Sequence, residues 1–194
     1  MTNGPARYEF RVWAQDLAEV RKKLGDPGIS PAAASNETYL ISSTTDRCNA
    51  KLRSGIMDIK LLMREDRGLE QWEPVLKEGF PLDSAVITSQ IFPRLELEPP
   101  HLSRAQYSIE EFLGEVIRPH KAIAVVDVSK TRVQFSLDAC RAEFASVLIN
   151  DTALETVAIE ALDPEAVLKL VRGFGLNPNS NNSYIREIKR VVGL

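Results

Sequence analysis

From Arg7 to Trp13 the chain alternates, with Tyr8, Phe10 and Val12 apolar and Arg7, Glu9 and Arg11 charged. A period of two marks a strand with one buried face and one charged face. The same reading predicts strands over Glu37–Thr44, Ala50–Gly55, Met57–Arg64, Ala122–Val128, Thr131–Ala139, Arg141–Asn150 and Ala153–Leu162. Asp16, with Glu19 three residues on, predicts a capping box opening a helix that ends near Gly25. The first seven residues read as a loose tail and residues 26–36 as a loop. Residues 69–117 differ in character, with amphipathic, helix-like stretches around Leu69–Lys77, Ser84–Phe92 and Ser108–Ile117 and a turn at Pro99 and Pro100. Their apolar content is too small for a separate core, so they predict a helical insertion within one domain spanning residues 1–194. Asp163-Pro164-Glu165 predicts an N-cap followed by proline at the first helical position, with Gly175 ending that helix. Asn177–Asn182 is a polar loop and Ser183–Val192 a closing helix. These elements predict an α+β fold: a closed or nearly closed eight-stranded antiparallel barrel, with flanking helices, that leaves few strand edges exposed.

The content of the polar faces is the clearest chemical signal. Thr131–Ala139 sets Arg132, Gln134, Ser136 and Asp138 against Val133, Phe135 and Leu137, and Lys130 extends the polar side. Lys51 pairs with Arg53, Asp58 with Lys60 and Arg141 with Glu143 on their own strands, while Glu160 faces away from Val157 and Ile159. Together these faces hold Arg7, Arg11, Lys51, Arg53, Lys60, Lys130, Arg132 and Arg141 against Glu9, Asp58, Asp138, Glu143 and Glu160. Turned into a barrel, such a face makes a hydrated, net positive lumen suited to a polyanion. Carboxylates beside the bases could hold Mg2+ or Mn2+ against phosphate oxygens. An open sheet with one wet face gives the same alternation, so periodicity leaves the direction of the charged face open.

Composition narrows the function classes. A net charge of −3 argues against whole-surface attraction to nucleic acid or an anionic membrane. No apolar run approaches the roughly 20 residues needed to span a bilayer. Cys48 and Cys140, far apart and without metal-ligand spacing, read as reduced thiols of a cytoplasmic protein. With His101 and His120 the only histidines, a zinc site or a histidine-based triad has little to draw on.

The order of the motifs resembles the CYTH superfamily, the triphosphate tunnel metalloenzymes, over nearly the whole chain. Tyr8-Glu9-Phe10-Arg11 resembles the second half of that family's opening Glu-x-Glu-x-Lys strand. Lys51-Leu52-Arg53 and Asp58-Ile59-Lys60 resemble its basic strand and the strand after it, and Lys130-Thr131-Arg132 its paired bases after the helical insertion. Thr156–Glu160 followed by Asp163-Pro164-Glu165 is similar to its late acidic strand and helix, and Asn182-Ser183-Tyr184 to the Ser-Tyr segment beyond. The resemblance implies an eight-stranded tunnel for triphosphate groups, an inward charged face and dependence on Mg2+ or Mn2+. It departs at Arg7 and Ala158, which stand where the family has glutamates, and at Arg11, which stands for its lysine.

Arg11, Lys51, Arg53, Lys60, Lys130, Arg132 and Arg141 are therefore the candidate ligand-binding residues, and Glu9, Glu143 and Glu160 the candidate metal ligands. The expected ligand is a nucleoside triphosphate, inorganic triphosphate or polyphosphate, with no membrane or nucleic-acid partner; a homodimer is compatible with the sequence. A metal-dependent phosphohydrolase and a catalytically silent phosphate-binding module both fit, and a scaffold working through the insertion is a third class.

Overall fold

The alternating segments close into a barrel whose apolar sides face outward to helices and whose charged sides face inward. The computed structural model describes residues 4–25 and 32–194. The strands are β1 (Arg7–Ala14), β2 (Ala33–Ser42), β3 (Cys48–Arg53), β4 (Ile56–Asp66), β5 (Leu69–Gly79), the short pair β6 (Leu82–Asp83) and β7 (Gln106–Tyr107), then β8 (Ile123–Leu137), β9 (Cys140–Ile149) and β10 (Thr152–Ala161). All but β6 and β7 belong to the barrel, in the order β1-β10-β9-β8-β2-β3-β4-β5, which pairing of β1 with β5 closes. The predicted eight-stranded antiparallel α+β barrel is thus the observed fold.

Three apolar clusters hold it. Tyr8, Phe10, Val157 and Ile159 on the outside of β1 and β10 pack against Val167, Leu168 and Val171 of α4 (Pro164–Gly173), with Leu17 and Leu24 flanking α1 (Ala18–Lys23). Leu40, Ala50, Leu52, Met57 and Ile59 on the opposite wall are covered by Ile87, Ile91, Phe92, Phe112 and Ile117 of the segment between β5 and β8. That segment holds α2 (Ser84–Val86) and α3 (Ile109–Glu111), each running on into a wider helical turn, and Ser108 and Glu111 form a reciprocal capping box. The third cluster fills one end of the barrel itself: Tyr39, Ile41, Val126, Val128, Ala145 and Val147 meet Tyr184, Ile185 and Ile188 of α5 (Tyr184–Val192). Among the described residues no helix is long and apolar enough to cross a membrane.

Two strands depart from the sequence reading, and their errors offset one another in the count. Leu69–Lys77, expected as an amphipathic helix, is strand β5. Leu69, Trp72 and Leu76 mimic helical spacing because bulges near Ile59/Lys60 and Leu62/Arg64 shift the pairing of β4 with β5 and break the period of two. The hairpin turn Arg67-Gly68 is the better signal. Both residues have positive φ, and a Cβ on Gly68 would sit 2.5 Å from the Pro178 carbonyl oxygen. Ala122–Val128 and Thr131–Ala139, expected as two strands, are one long β8, because nothing in Ser129-Lys130 breaks a strand and each end has its own partner, β2 or β9.

Smaller differences lie near the N-terminus. The Asp16–Glu19 capping box does not form: Asp16 accepts from the Ala18 N–H, Leu17 takes the cap position, and Glu19 accepts from Lys22. Of the loop expected over residues 26–36, residues 26–31 lie outside the described residues, and Ala33–Asn36 already belong to β2. Asp163 caps α4 by accepting from the Glu165 N–H, as expected.

Candidate functional site

The inward face of the barrel is apolar at the α5 end and charged over the rest. The charged part surrounds a cavity of about 340 Å3 lined by Arg11, Lys51, Arg53, Lys60, Lys77, Lys130, Arg132 and Arg141 together with Glu9, Asp58, Glu143 and Glu160. All ten candidate site residues from the sequence are in this lining. Arg7 is not, and Asp138 sits in the β8–β9 turn at φ 51° beside an outer hollow formed with Asp163, Glu165 and Lys169. A larger hollow of about 770 Å3 is lined mostly by small and hydroxyl side chains. Lys130 and Glu155 are its only charged members among the described residues, so it offers no convergent chemistry.

Beneath the cavity lies a buried residue the sequence reading missed. Glu37, 2 % exposed, accepts from Lys51 Nζ and Lys130 Nζ at 3.0 Å each and from the Tyr39 hydroxyl at 3.1 Å, and Arg53 Nη1 lies 3.6 Å away. Burial opposes its charge, but Lys51 and Lys130 outweigh burial and hold the carboxyl down to about 2. Glu37 therefore anchors three cations of the lumen at once. Its signal was its strand parity: in β2 it shares a face with Tyr39 and Ile41, and a carboxylate on a face that is otherwise buried needs partners there. Lys77 was missed because β5 was read as a helix.

Arg11 is the most constrained cation. Its Nε donates to Glu9 Oε1 at 3.0 Å and its Nη1 to Thr156 Oγ1 at 3.3 Å, and Nη1 lies 3.8 Å from Glu143 Oε1. The guanidinium also lies 4.4 Å from the Tyr184 ring centroid. Its backbone is pinned by Asn181 Oδ1, 2.7 Å from the Arg11 N–H, and by the Asn182 N–H, 2.9 Å from its carbonyl. Tyr184 follows directly, which explains how the Asn182-Ser183-Tyr184 segment reaches the lumen. Burial alone would raise the Glu9 carboxyl; Arg11, then Lys60 and Lys51, hold it below the usual range instead.

The other pairs are looser. Arg132 Nη1 lies 3.3 Å from Glu143 Oε2 and Arg53 Nη2 3.4 Å from Asp58 Oδ2. Among the described residues, Lys60, Lys77 and Arg141 of the lining have no ion-pair partner, and these are the charges left to meet a ligand.

The carboxylates do not fit a metal ion held by the protein alone. Glu70, Glu9 and Glu160 form a row of register partners across β5, β1 and β10. Glu70 turns to Trp72 Nε1 and Arg186, Glu9 is held by Arg11, and Glu143 lies between Arg11 and Arg132. Among the described residues no three Asp, Glu, His or Cys side chains converge as a metal-binding group.

No protein-family model and no curated protein matches the sequence. Solved structures do resemble this one. A conserved hypothetical protein from Pyrococcus furiosus is similar at a TM-score of 0.53 with 12 % identity, over 92 % of this chain and 98 % of that one. A protein from Pyrococcus horikoshii gives 0.51 with 16 % identity, over 95 % and 99 %. A Bacillus halodurans protein provisionally described as an adenylate cyclase gives 0.51 with 11 % identity, over 94 % and 95 %. At these identities the shared property is the fold, which the three structures share with this chain over more than nine-tenths of its length.

Proposed function

We propose that the lumen binds the triphosphate group of a nucleoside triphosphate, inorganic triphosphate or polyphosphate. The observation that carries this reading is eight cationic side chains against four acidic ones around one cavity inside a closed barrel. Arg11 and Lys130 are buried in the wall of the lumen, Lys60 is half-buried, and Lys77 and Arg141 are exposed, so a phosphate oxygen reaching the lumen meets cations on several strands and gains charge-assisted hydrogen bonds there. Lys60, Lys77 and Arg141 grip the anion, while Glu37 holds Lys51 and Lys130 in place behind them. One structural neighbour is provisionally described as an adenylate cyclase, and nucleoside triphosphates are among the ligands the family resemblance implies.

Hydrolysis is expected to be slow or absent. Ala158 lines the cavity between Arg11 and Glu143 in register, where the resemblance calls for an acid, and among the described residues no three carboxylates converge as a metal-binding group. Phosphate release from tripolyphosphate with Mn2+ present, by the wild-type chain and by Ala158→Glu, tests both halves of the reading. Saturable binding with little release supports it. Rapid wild-type turnover shows that the remaining residues suffice for catalysis, and no binding at low salt removes the ligand class.

Binding is expected to weaken as pH rises through 8. Burial, then the neighbouring Lys130, push the Lys51 ammonium down to about 8 against the pull of Glu37. Because this pKa lies below the ordinary 10.5, the folded chain loses the proton before the unfolded one does. The burden that charged Lys51 places on folding is thus lifted above 8, as is its attraction for anions. Tripolyphosphate affinity against pH should decline above 8 in the wild type and stay flat in Lys51→Met. A flat wild-type profile contradicts the assignment.

A further inference from the structure

This inference rests on the reading of the lumen as a phosphate site and concerns what accompanies the anion there. We propose that the buried Arg11 guanidinium takes the place of a divalent cation, so that the polyphosphate is bound by side chains alone, with no metal ion bridging it to the protein. Three observations lead to this. First, Arg11 is fixed in position: Glu9, Thr156 and the Tyr184 ring hold its side chain, and Asn181 and Asn182 hold its backbone. An arginine in such a setting is a permanent cation. Second, it lies against two of the three candidate metal ligands, Glu9 and Glu143, and leaves only Glu160, the register partner of Glu9, without a cation partner among the described residues. Its Nε is 3.0 Å from Glu9 Oε1 and its Nη1 3.8 Å from Glu143 Oε1, and the second Glu143 oxygen faces Arg132 at 3.3 Å. Third, a divalent ion brought to Glu9 would lie beside Arg11, in a cavity that Lys51 and Lys60 also line. Repulsion from fixed cations opposes the ion, whereas the same cations attract a polyphosphate.

In solution Mg2+ or Mn2+ also binds free polyphosphate and removes part of its charge. If Arg11 already supplies the cation, added metal therefore weakens binding or leaves it unchanged.

The test is calorimetric titration of the full chain with tripolyphosphate, once in EDTA and once with Mn2+ in excess. Affinity in EDTA equal to or tighter than that with Mn2+ is the expected result. Binding at least about tenfold tighter with Mn2+ overturns this inference while leaving the phosphate-site reading intact. No binding in either buffer overturns both. A second readout uses Mn2+ alone, followed by its electron paramagnetic resonance signal: the wild type is expected to show no saturable site at micromolar metal. Arg11→Met, which frees Glu9 beside Glu160 and leaves Glu143 to Arg132 alone, is expected to gain one. Saturable Mn2+ binding by the wild type overturns the proposal, and so does a folded Arg11→Met chain that gains none. If that variant does not fold, the two wild-type measurements decide the matter.

Discussion

Glu37→Ala is expected to lower the stability of the chain by about 3–5 kcal/mol, the cost of removing one partner from a buried ionic network. The carboxylate is buried and accepts from Lys51, Lys130 and Tyr39, so its loss leaves two ammonium groups facing each other without a counter-ion. Chemical denaturation of the wild type and the variant measures this directly, and a change below about 1 kcal/mol contradicts the anchoring role. The same group sets an acid limit. Its folded pKa of about 2 lies below the ordinary 4.5, so its contribution is complete above pH 4.5 and disappears as pH falls toward 2. Glu37→Ala is therefore expected to lose less stability than the wild type across that interval.

The combined variant Lys60→Gln with Arg141→Gln is expected to bind tripolyphosphate on the order of 10³-fold more weakly than the wild type, at roughly 1.5–3 kcal/mol for each hydrogen bond to a charged group. Both residues line the cavity, and neither has an ion-pair partner among the described residues. Their removal breaks no ion pair, and Glu9 keeps its direct partner Arg11, so affinity should fall by more than stability does. This separates them from Glu37, whose loss acts through folding. Lys22→Gln, an exposed residue on α1 paired with Glu19, serves as the control and is expected to leave affinity unchanged. Equal weakening by the control would show that binding follows net charge and not the lumen.

Much of the barrel was legible in the sequence because its two faces are chemically unlike. Over Tyr8–Val12 of β1 and Val157–Ala161 of β10 each inward position is charged or small and each outward one is apolar, and parity alone placed Glu9, Arg11 and Glu160 on one side. The resemblance in motif order supplied what parity could not, the direction of that side. Legibility failed where local geometry breaks the period. The bulges between β4 and β5 made Leu69, Trp72 and Leu76 look helical, and Lys77 was lost with them. Glu37 was overlooked for another reason: one acidic residue at the start of an apolar strand resembles a solvated strand end. Only closure of the barrel brings Lys51 from β3 and Lys130 from β8 to it. Likewise, the sequence offers Glu9, Glu143 and Glu160 as candidate metal ligands, with Arg141 the one base set beside Glu143 on its own strand. The fold gives the first to Arg11 and sets the second between Arg11 and Arg132, contacts that join residues up to 132 positions apart.

Tripolyphosphate affinity of the wild-type chain across ionic strength tests most directly whether the basic lumen binds a polyphosphate anion. One saturable site is expected, with affinity falling steeply between about 0.05 M and about 0.5 M salt as counter-ions screen the lumen cations. No binding at the lowest salt, or binding indifferent to salt, contradicts it.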